Sequence, residues 1–251
     1  VPVYVRLAGE KRATTEQREY GWNQQAVCYY YLRQYANMRK CYEQLLADFP
    51  QGASVPEALY WLAWHESAER RFGKAATLYQ NLVERFPEHA LAVKARYRRA
   101  VSLYQDGQLD AAAAALLEIV TQHPKTAVDT QEILWLGQHL RKAKRLAEAD
   151  AVYEALLARQ PEQKVRVLAL YCQAEARQEQ KNWKEALDKY QRLLVEKETG
   201  LENPARLGAS ICLRELGSLA EARTMLGGMQ LAPDDPLALR CLFEQGLLDL
   251  A

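Results

Sequence analysis

The sequence lacks a charge excess of either sign and any long apolar run. Lys and Arg number 33 against 32 Asp and Glu, which leaves a formal charge of +1. Non-specific nucleic-acid binding needs a basic excess that neutralises phosphates, so nucleic acid is not a favoured partner. The longest candidate stretch, residues 111–120, falls short of the roughly 18–20 residues that cross a bilayer. We therefore expect no transmembrane segment.

Motifs that carry catalysis or hold cofactors are also missing. There is no glycine-rich phosphate loop and no nucleophile-elbow sequence. The four histidines are separated by full helical segments and share no carboxylate pattern: His65, His89, His123 and His139. We predict no catalytic residue, no metal site and no cofactor, and we expect that the protein is not an enzyme.

The five cysteines form no CxxC pair and have no histidine at metal-ligand spacing. They are Cys28, Cys41, Cys172, Cys212 and Cys241. An odd number of cysteines on buried faces is typical of a reducing compartment, where thiols act as small apolar fillers. If a disulfide forms, Cys172–Cys212 is the pair to examine.

Residues that helices tolerate well dominate the chain, whereas Val, Ile and Thr are sparse after the first residues. This composition predicts an all-α protein. Residues 1–7 alternate in a strand-like way around Pro2 and are too few to fold alone. We interpret residues 1–15 as a linker or as the end of a segment that precedes them.

A period of 37 residues runs through the sequence. It is marked by Tyr35, Phe72, Leu109, Leu146 and Trp183, and three residues later by Met38, Ala75, Ala112, Ala149 and Ala186. Prolines follow in the same register at Pro50, Pro87, Pro124 and Pro161. A repeat of this length predicts an α-solenoid of about six helix-turn-helix repeats plus a final unpaired helix. Because a stacked array offers a groove rather than a closed pocket, this architecture favours binding over catalysis.

The predicted repeats cover residues 17–50, 54–87, 88–124, 125–161, 162–198 and 203–233, with a partial repeat at 236–251. Within them we expect helices to begin at Gln17, His89 and Ala127, among others. Capping-box patterns are assigned at Ser54 and Thr126. Left-handed turns between paired helices are expected at Asp106-Gly107, Lys181-Asn182 and Leu216-Gly217. Glu198 replaces the expected proline, so a looser connection is predicted there.

These positions resemble the tetratricopeptide repeat family. The matching residues are Trp22, Ala26, Tyr29, Leu62, Ala63, Ala75, Tyr79, Pro87, Gly137, Ala149, Tyr153 and Pro161. The resemblance covers nearly the whole chain, and it implies a right-handed superhelix over residues 16–251. It also implies that first helices line a concave face that binds peptides or other proteins.

Counting along the family pattern assigns aromatic and basic residues to that concave groove. The candidate partner-binding residues are Tyr30, Tyr60, Trp64, Lys94, Tyr97, Arg98, Tyr104, Trp135, Arg141 and Tyr171. Aromatic rings offer large contact area, and Arg pairs with carboxylates. The alternative is that individual rings are buried between neighbouring helices. A clamp for a C-terminal carboxylate is improbable, because Val27 and Trp61 occupy two of its positions.

We therefore predict a non-enzymatic scaffold that binds a peptide or helix of a protein partner and helps to assemble or localise a complex. One alternative is an RNA-binding helical-repeat protein. Its base-reading position here holds Asn23, Tyr60, Tyr97, Leu134 and Tyr171, which is a largely apolar set. Another is self-association of the solenoid through its ends.

The cellular location is open between two interpretations. The stretch 86–97 is similar in style to the longer repeats of bacterial envelope proteins of the outer-membrane assembly lipoprotein and TolA-binding coordinator types, whereas the usual repeat has about 34 residues. This similarity favours a periplasmic or envelope location. The odd cysteine count favours the cytoplasm.

Overall fold

In a computed structural model, residues 1–196, 200–229, 231–232 and 235–250 are described. They form fourteen α-helices and no strand within these ranges, which confirms the all-α prediction. The helices are α1 Pro2–Gly9, α2 Thr15–Tyr31, α3 Tyr35–Asp48, α4 Val55–Ala68, α5 Phe72–Arg85, α6 Ala92–Gln105, α7 Leu109–Gln122, α8 Thr130–Lys142, α9 Leu146–Ala158, α10 Gln163–Glu179, α11 Trp183–Val195, α12 Glu202–Glu215, α13 Leu219–Gly227 and α14 Ala238–Leu250.

The chain divides into two compact units, Val1–Thr126 and Ala127–Ala251, which we call unit 1 and unit 2. Unit 1 contains α1 to α7, and unit 2 contains α8 to α14. Within each unit, helices that follow one another along the chain pack against one another. The looser connection predicted at Glu198 and Thr199 lies outside the described residues.

The 37-residue period marks where the second helix of each pair begins. Tyr35, Phe72, Leu109, Leu146 and Trp183 are the first residues of α3, α5, α7, α9 and α11. Two residues earlier, the backbone always has positive φ: Arg33 (57°), Arg70 (59°), Gly107 (80°), Lys144 (60°) and Lys181 (61°). Gly217 (82°) does the same before α13. The predicted left-handed turns are thereby confirmed.

Small and aromatic residues alternate in the joints between helices. The small residues of the second helices are fully or almost fully buried, namely Ala75, Ala112, Ala149, Ala186 and Ala222. Four residues beyond, large rings fill the space: Tyr42, Tyr79, Tyr153 and Tyr190. In unit 2 these rings lie against glycines, because a Cβ atom at Gly137 or Gly208 would fall within 2.4 Å or 2.3 Å of the ring of Tyr153 or Tyr190.

Prolines end the second helices in the predicted manner. Phe49, Phe86 and His123 follow α3, α5 and α7 with nearly identical backbone angles, φ between −127° and −135°. The residue before proline avoids the helical region, so each helix stops there. Pro161 differs, because Gln160 before it takes a φ of 51°.

Residues 2–7, which alternate in a strand-like way, lie within helix α1. Pro2 is compatible with the first turn of a helix, where its missing N–H is not needed. The helix packs on α2: Ala8 is buried, and a Cβ atom at Gly21 would lie 2.8 Å from the Ala8 nitrogen. The alternating Val3 and Val5 both remain exposed.

The two predicted capping boxes are also wrong. The Ser54 side chain accepts no capping hydrogen bond, and its backbone N–H instead donates to Glu19 Oε1 at 2.5 Å. Helix α8 begins at Thr130 rather than Ala127, because the Asp129 side chain accepts from the Gln131 N–H at 2.7 Å. The capping box that does form belongs to Thr14 and Gln17, so α2 begins at Thr15.

The expected start of α6 at His89 is three residues too early. The Ala92 N–H donates to the His89 carbonyl across a turn, and His89 Nδ1 accepts from the Leu91 N–H at 3.2 Å. This local turn satisfies the backbone groups before Ala92, where α6 begins.

A buried carboxylate in unit 1 connects α3, α4 and the residue that precedes α5. Glu66 on α4 is 5% exposed and accepts from Arg71 Nε, while Arg39 Nη1 on α3 lies 3.7 Å from its other oxygen. The hydrogen bond from Arg71 lowers the pKa of Glu66 below its usual 4.5, and the charges of Arg71 and Arg39 lower it further. The folded state therefore favours the ionised carboxylate.

We expect Glu66→Gln to lower the free energy of unfolding by roughly 1.5–2 kcal/mol at neutral pH, the low end for charged hydrogen bonds because Arg71 is partly exposed. Since the folded pKa is depressed, the stabilisation is present above about pH 4.5 and is lost as the pH falls through the folded pKa. Urea titrations across this range should therefore show the two proteins converging in acid. The exposed neighbour Glu69 supplies the control variant Glu69→Gln, and an equal loss in both variants would contradict the argument.

Candidate functional site

Aromatic side chains from α2, α3 and α4 form one connected surface in unit 1. The ring of Tyr30 lies 4.7 Å from Trp61 and 5.6 Å from Trp64, centroid to centroid. Tyr35 lies 5.4 Å from Trp64, and Tyr60 lies 5.6 Å from Trp61. Most pairs are edge-on or tilted, as aromatic rings prefer. We call Tyr30, Tyr35, Tyr60, Trp61 and Trp64 the aromatic face.

Local sequence and repeat spacing together assemble this face. Tyr60, Trp61 and Trp64 lie one and four residues apart on α4, so one side of that helix carries all three. Tyr30 comes from the first helix of the preceding pair, and Tyr35 opens the second helix. The structure thus brings together Tyr30, Tyr60 and Trp64, three of the residues predicted from the sequence.

The rings of the aromatic face are half-buried rather than fully enclosed. Tyr35 is 37% exposed, and Tyr31, whose ring lies 5.5 Å from that of Tyr30, is 78% exposed. Tyr60 also contacts the buried ring of Tyr79 on α5 at 5.6 Å, so it is partly a packing residue. One edge of the cluster therefore lies in the core, as the packing interpretation predicts, and the other lies on the surface, so the partner-binding interpretation stays a prediction.

Helix α6 supplies the other predicted residues of unit 1. Arg98 and Trp64 line one cavity of about 300 Å³ together with Ser67, Tyr79 and Ser102. Lys94 and Tyr104 are exposed, and Tyr97 is half-buried. Arg98 and Trp64 of the aromatic face thus border the same cavity.

A second predicted cluster lies in unit 2. Arg141 and Tyr171 line a cavity of about 260 Å³ with Glu175, Trp183 and Arg240. Arg141 donates to Glu175 and Glu179 on α10, each at 3.0 Å, and Lys144 Nζ lies 2.7 Å from Glu179. Burial, together with the nearby charge of Glu175, raises the pKa of Tyr171 to about 12, so the phenol is neutral at physiological pH. The charge of Arg141 is therefore balanced within the unit.

Trp135 does not line this cavity. Its ring stacks on His139, one turn along α8, with centroids 5.3 Å apart and planes 25° apart. Of the three residues predicted in unit 2, the structure thus brings Arg141 and Tyr171 together and places Trp135 elsewhere.

Tyr35, Glu175 and Glu179 belong to these clusters but were not among the predicted site residues. A signal for the two glutamates exists in the repeat spacing, because residues 34 to 38 apart meet between neighbouring first helices. Arg141 contacts Glu175 and Glu179 at separations of 34 and 38, and Ser67 meets Ser102 at 35. Scanning for opposite charges at that separation would have found these ion pairs.

Groups suited to chemistry are not assembled in the described part of the chain. No three His, Cys, Asp or Glu side chains there are placed to hold a metal ion. All five cysteines are free thiols, so the Cys172–Cys212 bridge does not form. Burial raises the pKa of Cys212 to about 12 and that of Cys41 to about 11, which makes both poor nucleophiles at neutral pH. Among the described helices, none has the length and apolar character needed to span a membrane.

Helix pairs that repeat every 37 residues, with an aromatic face on neighbouring helices, define an α-helical repeat protein of the interaction class. The chain belongs to the tetratricopeptide repeat family, whose model matches residues 24–88, 62–127 and 134–200. Members of this family bind protein or peptide partners, and the fold is generally non-enzymatic.

Several solved structures are similar to this chain. One is a tetratricopeptide repeat protein from Parabacteroides merdae, with 12% identity, a TM-score of 0.49 and coverage of 92% of this chain and 86% of that one. Another is the C-terminal part of a repeat protein from Cytophaga hutchinsonii, with 18% identity, a TM-score of 0.47 and coverage of 96% and 92%. The TPR2AB domain of yeast Sti1, in a complex with pHSP90, has 14% identity, a TM-score of 0.37 and coverage of 92% and 96%. No curated protein sequence matches the chain.

Proposed function

We propose that the protein is a non-enzymatic interaction scaffold that binds an extended peptide or a helix of a partner protein on the aromatic face of unit 1. The observation that carries this proposal is the contact network of Tyr30, Tyr35, Trp61 and Trp64, with Tyr35 at its solvent edge. Half-buried aromatic rings combine large contact area with few rotatable bonds, so they lose little entropy when a partner docks.

Charge next to the aromatic face indicates what the bound segment should contain. Arg98 lines the cavity beside Trp64, and Lys94 is exposed one turn earlier on α6. A partner segment with apolar or aromatic side chains for the rings and an acidic residue beside them would satisfy both features. We propose this composition for the ligand.

The proposal can be tested by selecting binders from a displayed library of random linear peptides and measuring their affinity. The double variant Trp61→Ala/Trp64→Ala should bind selected peptides at least tenfold more weakly, because two central aromatic anchors are removed. Circular dichroism should show that its helical content is unchanged. Tyr20→Ala is the matched control, since Tyr20 is exposed on α2 but contacts Tyr4 instead. Equal affinity for the wild type and the double variant would remove the aromatic face as the binding site.

We further propose that this binding serves the assembly or localisation of a multiprotein complex in the bacterial envelope. The support is the length of the repeat and the style of residues 86–97. Fractionation of cells that produce the protein would decide between this location and the cytoplasm. Recovery of the protein with cytoplasmic markers would contradict the envelope location and would leave the proposed peptide-binding site unaffected.

A further inference from the structure

Unit 1 contains a further cavity, of about 750 Å³, between the first turns of α3 and the last turns of α4. Basic side chains from the turn before α3, from α3 itself and from the residue before α5 line it, namely Arg33, Arg39, Lys40 and Arg71. Two carboxylates, those of Glu43 and Glu69, share the lining, so cations outnumber them two to one. His65 on α4 also borders this space. We call the space that these residues line the basic cavity.

A buried histidine without a hydrogen-bond partner lines the basic cavity. His65 is 8% exposed, and its buried Nδ1 atom has no partner among the described residues. The Nη2 atom of Arg71 is likewise buried and unpaired, although Nε of the same side chain donates to Glu66. Buried polar groups without partners destabilise a fold. An anion bound in the cavity would accept hydrogen bonds from Arg71 and from the Nδ1–H form of His65.

The first turn of α3 adds backbone donors to this lining. The N–H groups of Tyr35 and Ala36 have no acceptor in the described part of the chain, and no side chain caps the helix. The side-chain oxygen of Gln34, which precedes them, accepts from Asn37 Nδ2 at 3.0 Å instead. Free N–H groups at the start of a helix of 14 residues attract an anion, because the helix dipole places partial positive charge there.

Two of the four cations are balanced within unit 1, and two are not. Arg39 and Arg71 both face the buried carboxylate of Glu66, which uses part of their charge. Arg33 and Lys40 are exposed, and neither forms an ion pair within the described ranges. The lining of the basic cavity therefore carries positive charge that the protein does not neutralise, which favours an anionic ligand.

We infer that the basic cavity binds a phosphoryl group, carried by a phosphorylated side chain of a partner or by a free phosphate compound. At neutral pH such a group has a charge of about −1.5 to −2 and three acceptor oxygens, whereas a carboxylate has a single charge and two oxygens in one plane. Donors on the lining come from separate elements, namely the first turn of α3, the cations beside it, and His65 with Arg71. Tyr35 borders the cavity and also contacts Trp64 of the aromatic face, so the two sites are adjacent.

Titration of the full chain with inorganic phosphate at constant ionic strength tests the inference. We expect saturable binding by calorimetry, and movement of the imidazole ¹⁵N signals of His65 in NMR spectra. The variant Arg33→Gln/Lys40→Gln should raise the dissociation constant at least tenfold with unchanged helical circular dichroism, since both residues are exposed. Lys11→Gln/Arg12→Gln is the matched control, because it removes the same charge at exposed residues outside the cavity. It should bind phosphate like the wild type. Absence of saturable binding, unmoved His65 signals, or an equal loss in the two variants overturns the inference.

Phosphorylated peptides identify the source of the phosphoryl group. Peptides selected on the aromatic face are resynthesised with phosphoserine at one position at a time. This arm rests on the proposed peptide binding, whereas the phosphate titration does not, and Trp61→Ala/Trp64→Ala should still bind inorganic phosphate. If the docked segment carries the group, one phosphorylated form should bind at least tenfold more tightly than its unmodified peptide, and Arg33→Gln/Lys40→Gln should abolish that gain. Phosphate binding without a gain at any position assigns the cavity to a free phosphate compound. A gain that survives in the variant contradicts the basic cavity as the site.

Discussion

Tyr153→Ala should cost about 3–5 kcal/mol of unfolding free energy, the range for truncating a large buried ring. Tyr153 is completely buried on α9, and its ring fills the space that Gly137 on α8 leaves open. Removing the ring would leave a cavity that two helices with rigid backbones cannot close. For a domain that is stable by about 5–15 kcal/mol, this loss is a third or more of the total.

Urea unfolding followed by tryptophan fluorescence measures the effect, because unit 2 contains Trp135 and Trp183. Tyr153→Phe keeps the ring and should lose much less stability, which separates packing from the hydroxyl. Tyr31→Ala provides an exposed tyrosine for comparison, at 78% exposure, and should change stability by less than about 1 kcal/mol. A small loss for Tyr153→Ala would mean that the repeated tyrosines do not stabilise the joints.

Gly208→Val should destabilise the protein by about 3 kcal/mol for the opposite reason, which is overpacking. A Cβ atom at this position on α12 would lie 2.3 Å from the Tyr190 Cζ atom. The ring cannot move aside readily, since Tyr190 is 2% exposed and its hydroxyl donates to Gln178 Oε1 at 2.9 Å. The gain in helix propensity on replacing glycine is smaller than this cost.

A double-mutant cycle makes the second prediction specific. In Gly208→Val/Tyr190→Leu the clashing ring is absent, so the double variant should lose less stability than the two single changes summed. Gly227→Ala at the end of α13 is the glycine control, because a Cβ atom there meets nothing within 4 Å. Its stability should stay the same or rise slightly. Strict additivity in the cycle would show that Gly208 and Tyr190 do not act as a pair.

The repeated positions predicted the fold well because packing alone determines them. A small residue such as Ala149 and a ring such as Tyr153 pack at the same contact between helices in each repeat. Their spacing therefore indicates where neighbouring helices contact one another. The beginnings of α7, α9 and α11 followed from the same period to the residue, whereas α3 and α5 begin one residue earlier than predicted, at Tyr35 and Phe72. Element starts that depend on one hydrogen bond were harder to predict. At Ser54 the deciding partner is Glu19, which lies 35 residues earlier in the sequence.

The candidate site was partly predictable for a similar reason. Tyr30, Tyr60 and Trp64 meet because they occupy equivalent places on neighbouring first helices, which the period specifies. Trp135 was assigned to the groove by the same count, yet its ring turns along α8 to stack on His139. Choice of rotamer is not encoded in the spacing. Helix α1 was missed because seven residues do not distinguish strand alternation from a short helix that packs on α2.

The turns with positive φ have a consequence for the electrostatics of the repeats. Four of the six such turns before second helices hold Arg33, Arg70, Lys144 and Lys181 instead of glycine. A side chain in this conformation costs roughly 1–2 kcal/mol. Each of these cations follows the carboxyl end of a first helix, where the partial negative charge of the helix stabilises it by about 0.3–1 kcal/mol. The partial negative charge at the carboxyl end of α8 then accounts for the basic cluster Arg141, Lys142, Lys144 and Arg145. Binding of a polyanion such as nucleic acid is not needed to explain these cations.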